Sequence, residues 1–366
     1  MMIEKQKNIF FSKELEMFFL HVVCISFMFT TLGMVTLYWI LRLLVITFSF
    51  ICLSFNVCSN IKSIIVFTLL IFLSAGLCVV NQHALHSLLM LSTLIIIYRI
   101  PLNKFIKINL VYILLTAILI FTFAGLGAIT TEYKIIKTGE IVNIYCFGNP
   151  NRLGSFLFSI FLFFSILCTL HNKLFLANIL GIPFSFYIYN RTGCRTAMIA
   201  IFVQFLSYLL LTIFKISKFL TKLYRNFISI LPVFFIIFTF ALSKFVSSGI
   251  FFALDIILGR GRYLKSFVDS YSLSALVMGI NFKADAPLDN SYLYILLSTN
   301  VIMYYAFSKF VGVQTRKLDS KLVVQFLPTI LGLLAYGMTE SLLGYYSYAS
   351  LLFFFLILRI PMEKNL

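Results

Sequence analysis

Four short polar clusters interrupt an otherwise apolar chain, and three of them set arginine beside turn residues. These are Phe147-Gly148-Asn149-Pro150-Asn151-Arg152-Leu153-Gly154, Asn190-Arg191-Thr192-Gly193-Cys194-Arg195-Thr196-Ala197 and Leu258-Gly259-Arg260-Gly261-Arg262-Tyr263-Leu264. The fourth, Leu288-Asp289-Asn290-Ser291-Tyr292-Leu293, carries a carboxylate. A guanidinium is a rigid planar fork that matches phosphate oxygens two at a time, and each such charge-assisted bond is worth about 1.5–3 kcal/mol. Arg152, Arg191, Arg195, Arg260 and Arg262 gathered at one place would therefore suit a diphosphate. Gly193, Gly259 and Gly261 permit close backbone approach, and Arg195 stands where an apolar helix begins, an end whose dipole favours anions. The competing role for each arginine is snorkelling to lipid headgroups. Asp289 is placed to take a proton from an attacking hydroxyl, but with an ordinary pKa of about 3.9 it needs partial burial to act as a base. Its competing role is helix capping, which Asn290 and Ser291 also suit.

The elements that must carry these clusters are membrane helices. Of 366 residues, 61% are hydrophobic and 11% charged. About 20 apolar residues in a helix cross the hydrocarbon layer, where backbone groups must be satisfied within the segment. Spans are expected near 17–36, 38–56, 63–81, 84–98, 108–128, 152–170, 174–190, 195–214, 226–243, 291–308, 322–339 and 344–359, which makes an all-α bundle of about twelve transmembrane helices. Only a tight turn around Leu37-Tyr38-Trp39 divides the first two, and Arg42 lies inside the second. No repeat or linker divides residues 1–366, so one membrane domain is expected.

Lysine and arginine in loops are retained on the cytoplasmic side. With the N-terminus inside, most of the basic residues flank cytoplasmic ends, both termini are cytoplasmic, and the long segments 129–151 and 244–290 face outward. The second is the long extracytoplasmic loop before the tenth span, and its part from Phe251 to Leu276 predicts one or two interfacial helices. The first apolar run follows Lys13 without a small-residue cleavage pattern and reads as an uncleaved anchor. The net charge of +17 is dealt out as span flanks, which argues against nucleic acid as a partner.

The seven cysteines never form C-x-x-C, so neither a zinc site nor a disulfide framework is indicated; Cys146 and Cys194 face the same side, with pairing the alternative to a small apolar role. His83 and His86 share a helix face but lack a third ligand, so no metal is expected. The middle of the spans holds almost no ionisable group, which weakens the reading as an ion-coupled transporter.

The order Gly148-Asn149-Pro150-Asn151-x-Leu153-Gly154, Thr192-Gly193-Cys194-Arg195-Thr196-Ala197, Gly261-Arg262-Tyr263-Leu264 and Asp289-Asn290-Ser291-Tyr292-Leu293 resembles the O-antigen and capsular polysaccharide polymerases of the Wzy type. The motifs cover about residues 140–310, and the span pattern covers the whole chain. The resemblance implies a bacterial plasma-membrane glycosyltransferase that joins oligosaccharide repeat units carried on undecaprenyl pyrophosphate at the outer face. Arg195 and Arg262 would then neutralise the departing pyrophosphate and Asp289 would be the candidate base. No cofactor or metal is implied, and membrane lipids, a flippase and a chain-length regulator are the implied partners. Two positions depart from the pattern: Cys194 stands where the family often has Ser, and Asn300 where a Gly commonly follows. O-antigen ligases are also similar but usually carry histidine where Asp289 stands. A lipid-linked oligosaccharide flippase or exporter is the alternative from another class.

Overall fold

A computed structural model describes residues 13–54, 61–129, 131–135, 139–213, 218–245, 264–265, 268–269, 273–280, 289–318, 320–338 and 340–362. The long helices are α1 (Lys13–Thr31), α2 (Val35–Ser54), α3 (Ile61–Val80), α4 (Leu85–Ile97), α5 (Leu102–Gly125), α6 (Pro150–Leu170), α7 (Leu174–Thr192), α8 (Arg195–Ile213) and α9 (Lys218–Lys244). They are followed by the short α10 (Leu273–Met278), then α11 (Ser291–Ser298), α12 (Val301–Arg316), α13 (Ser320–Tyr336) and α14 (Tyr348–Arg359). Among the described residues, six segments are long and apolar enough to cross a membrane: Glu14–Thr31, Val35–Cys52, Leu102–Gly125, Pro150–Leu170, Arg195–Ile213 and Lys222–Lys244. Shorter apolar helices accompany them at Ile65–Val80, Gln82–Ile97, Leu322–Tyr336 and Tyr348–Arg359. This is an all-α membrane protein.

The surface of the bundle carries large apolar side chains that water would not tolerate in such number, among them Leu43, Leu69, Phe72, Ile118 and Ile237. The interior holds polar groups that bond one another, as where the Gln204 amide donates to Ser165 Oγ at 2.7 Å. The exterior is thus apolar as well as the core, as expected where lipid is the solvent.

Several details depart from the sequence reading. The segment 129–151 is not plain loop: β1 (Glu132–Ile135) and β2 (Ile141–Tyr145) pair antiparallel as a small hairpin. The turn between α1 and α2 lies at Leu32–Met34, where Gly33 takes φ +76, so Leu37, Tyr38 and Trp39 are already helical. The apolar run expected to span 291–308 is broken at Thr299–Asn300. Asn300 caps α12 by accepting from Met303 N at 2.9 Å, while Asn81 donates to Ser298 O at 2.7 Å and Ile280 N to Leu297 O at 2.7 Å. The ninth helix begins earlier than 226, at Lys218, and the last begins at Tyr348, behind a 3-10 turn at Ser341–Leu343. Of the interfacial helices expected within 251–276, the described part is α10 and the isolated pairs 264–265 and 268–269; the rest lies outside the described residues.

Candidate functional site

The first two arginine clusters lock together. Asn149 caps α6, accepting from Asn151 N at 2.7 Å, and Pro150 opens the helix, so Arg152 sits exposed in its first turn. On the neighbouring strand pair, Lys134 Nζ donates to Gly148 O at 2.5 Å and adds a second cation beside this cluster. Helix α7 ends at Gly193 in the left-handed region, φ 65, and Cys194 N then donates to Thr192 Oγ1 at 3.1 Å, which turns the chain into α8 at Arg195. Gly154 is what lets the two approach: a Cβ there would lie 2.7 Å from Cys194 Cβ and 3.0 Å from its Sγ. Two helix N-termini, those of α6 and α8, therefore come to the same end of the bundle, and Arg195 is exposed there. Arg191 is exposed as well, its guanidinium 5.9 Å from the Tyr187 ring centroid.

The fourth cluster joins them through the segment between α13 and α14. Asn290, not Asp289, is the N-cap of α11, accepting from Leu293 N at 2.9 Å. The Asn290 amide donates to Met338 O at 2.7 Å and to Thr239 Oγ1 at 3.1 Å, while Ser291 Oγ donates to Glu340 O at 2.6 Å. The capping role is thereby taken, and Asp289 stands half-buried beside it. Its neighbour is Tyr345, whose phenol is pushed up by burial; among the smaller influences, Arg152 acts to lower it and Asp289 to raise it. Arg152 and Asp289 are thus both within electrostatic reach of one tyrosine.

Two groups that sequence reasoning did not single out, Tyr336 and Glu340, complete this end, and the histidine pair noted in the sequence is tied to tyrosines. Tyr336 presents its hydroxyl 2.6 Å from Ser155 Oγ and is also engaged by the Cys194 thiol. Glu340 is buried at 7% exposure and acts electrostatically on both Cys194 and Tyr336. His83 and His86 are engaged by tyrosines: His83 Nδ1 lies 3.1 Å from the Tyr294 hydroxyl, and His86 Nδ1 accepts from Tyr346 N at 3.3 Å. The available signal for Glu340 was scarcity, since the chain has only 12 acidic residues and this one falls between two apolar runs.

Of the candidate residues, the structure brings Arg152, Arg195 and Asp289 to one end through the Gly154–Cys194 contact and Tyr345. Arg260 and Arg262 lie outside the described residues, although Leu264, which closes their cluster, is buried in the core at 1% exposure. Cys146 and Cys194 are separate free thiols, Cys146 Sγ lying 3.3 Å from Thr31 O. Chemically, the assembly offers exposed guanidinium groups at helix N-termini next to carboxylates, an arrangement suited to an anion and a proton acceptor together. No known protein family, curated protein or solved structure matches this chain.

Burial, reinforced by Glu340, pushes the Cys194 thiol up to about 12, so it carries no thiolate near neutral pH. Maleimide at pH 8 is expected to leave Cys194 unmodified until the protein is unfolded, as read by peptide mass spectrometry. Rapid native labelling at that position would mean that the α6–α8 junction is open to water.

Proposed function

We propose that this chain is a polysaccharide polymerase of a bacterial plasma membrane, joining oligosaccharide repeat units carried on undecaprenyl pyrophosphate. In this reading all twelve apolar segments span the membrane, α11 and α12 together making one of them; both termini are cytoplasmic and the β-hairpin end faces outward. The observation that carries the reading is the meeting of α6, the α7–α8 turn and the segment that holds the start of α11 at one end, where Gly154 packs against Cys194, Tyr336 reaches Ser155 and Ser291 bonds Glu340.

Arg152, Arg191 and Arg195, joined by Arg260 and Arg262 from the loop, hold the diphosphate of the donor lipid. The acceptor hydroxyl oxygen bonds to the anomeric carbon of the donor sugar. The bond from that carbon to the diphosphate oxygen breaks, and its electron pair leaves with the diphosphate, whose charge the guanidinium groups offset. The hydroxyl proton passes to Asp289, which stands half-buried beside the cap of α11. Glu340 is a positioning residue: its backbone carbonyl receives Ser291 Oγ and so ties the start of α11 to the segment before α14.

Purified protein in proteoliposomes supplied with lipid-linked repeat units is expected to produce longer chains. Transport of the units without elongation would replace this reading with a flippase, and transfer to an added lipid A-type acceptor would replace it with a ligase. Asp289→Asn is expected to lower elongation by about a hundredfold, the upper part of the usual range for general-base loss lying higher still. Full elongation by Asp289→Asn would remove that carboxylate from the chemistry altogether.

A further inference from the structure

A second cationic site lies apart from the clusters above, inside α2. Its inward face is formed by Arg42, Val45, Ser49 and Cys52, all buried, whereas Ile40, Leu43 and Leu44 on the same helix are exposed apolar residues at 52%, 60% and 50%. Arg42 is 5% exposed and stands seven residues, about 10 Å, below the start of the helix. Its Nη2 donates to Thr30 Oγ1 at 3.2 Å, and its Nε is buried with no acceptor. The guanidinium carbon lies 4.4 Å from the Tyr38 ring centroid and 5.5 Å from each of Trp39 and Tyr346. No ion pair to Arg42 occurs among the described residues.

Aromatic faces ease the burial of a cation, but they do not accept its in-plane N–H groups. A guanidinium has five such donors, and one is bonded here. An ionised group buried this deeply without a carboxylate is costly unless something completes it, and charge within a membrane span marks a working site. The way in is indicated by exposure: Thr30 at the end of α1 is open, Trp39 is 37% exposed, and the apolar residues of α2 beside it face the lipid. An anion with an acyl or prenyl tail can lay the tail along Ile40, Leu43 and Leu44 while its head reaches the guanidinium past Thr30 and Trp39.

We infer that Arg42, with Thr30, Tyr38 and Tyr346 around it, is a binding site for the phosphate of a membrane lipid. The site goes beyond the glycosyl-transfer reading, since it needs only a lipid and not a sugar. It is nonetheless close to that chemistry in sequence: Tyr346 packs at Arg42, and the preceding residue, Tyr345, is within electrostatic reach of Arg152 and Asp289.

Native mass spectrometry of the purified full chain, titrated with phosphatidylglycerol, undecaprenyl phosphate or diacylglycerol, tests this. The wild-type protein is expected to retain both phosphate lipids at least about tenfold more tightly than diacylglycerol, the discrimination one charge-assisted hydrogen bond supplies. Arg42→Met should abolish that preference, and Arg42→Lys should keep only part of it because the fork is lost. A stronger hold on undecaprenyl phosphate assigns the site to the carrier lipid, and equal hold on both assigns it to bulk phospholipid. Equal retention of diacylglycerol by the wild type, or an undiminished preference in Arg42→Met, overturns the inference. So does displacement of bound lipid by millimolar inorganic phosphate alone, which would mean the site takes a soluble anion. Should Arg42→Met fail to accumulate, the wild-type preference and Arg42→Lys decide the question.

Discussion

Arg195→Ala is expected to reduce chain elongation in proteoliposomes by about a hundredfold or more while the protein remains in the membrane at wild-type level. The size follows from the chemistry proposed: a guanidinium on a departing diphosphate makes two charge-assisted bonds of about 1.5–3 kcal/mol each, and every 1.36 kcal/mol is tenfold in rate. The neutral effect on accumulation follows from position. Arg195 is exposed at the first residue of α8, and the turn before it is held by Gly193 and by the Cys194 N to Thr192 Oγ1 bond, neither of which involves the arginine side chain. Arg195→Lys retains the charge but not the planar fork, so it should recover only a small part of the rate. Normal polymer from Arg195→Ala would remove this residue from the mechanism and leave it a lipid-headgroup contact.

The sequence foretold the helical segments because apolar runs in a membrane have few alternatives, and it foretold the polar joints because Asn, Pro and Gly act locally. Asn149 and Pro150 at the start of α6 and Gly193 at the end of α7 needed no tertiary information. The broken element was different. Residues 291–308 read as one apolar run, and what interrupts them comes from elsewhere: the amide of Asn81 and the backbone of Ile280 take the carbonyls that a continuous helix would have used near Ser298 and Leu297. The hairpin escaped notice because β1 is exposed at every residue; β2 alone alternates open and buried positions, and over only five residues.

At the candidate site the same division holds. Which residues are cationic was plain, but which helix ends touch depends on contacts such as Gly154 against Cys194 and Ser291 Oγ against Glu340 O. Asp289 and Asn290 compete for one capping position by residue type alone; the structure separates them because the Asn290 amide, unlike a carboxylate, has hydrogens to give to Met338 O and Thr239 Oγ1. Arg42 was visible as a charge inside a span, whereas its isolation from any described carboxylate required the fold.

Gly154→Val should disable the site without touching a single charged residue. A Cβ at position 154 would fall 2.7 Å from Cys194 Cβ, 3.0 Å from Cys194 Sγ and 3.2 Å from Thr192 Oγ1, so α6 must shift away from the α7–α8 turn. Overpacking of this kind costs about 1–3 kcal/mol, and the displacement falls where it separates Arg152 from Arg195. Misplacement of binding groups by about 1 Å can cost about a hundredfold in rate. Elongation is therefore expected to drop at least that far in Gly154→Val, with Gly154→Ala intermediate. The atom in the way identifies its own remedy. Cys194→Gly removes both the Cβ and the Sγ that collide, so Gly154→Ala combined with Cys194→Gly should regain activity relative to Gly154→Ala alone, a positive coupling readable in a double-mutant cycle of elongation rate and thermal stability. Cys194→Gly by itself loosens the turn and should lower stability modestly. Additive losses in the double variant would mean that the two clusters do not act through their contact, and the convergence of α6 and α8 would then have no part in the activity.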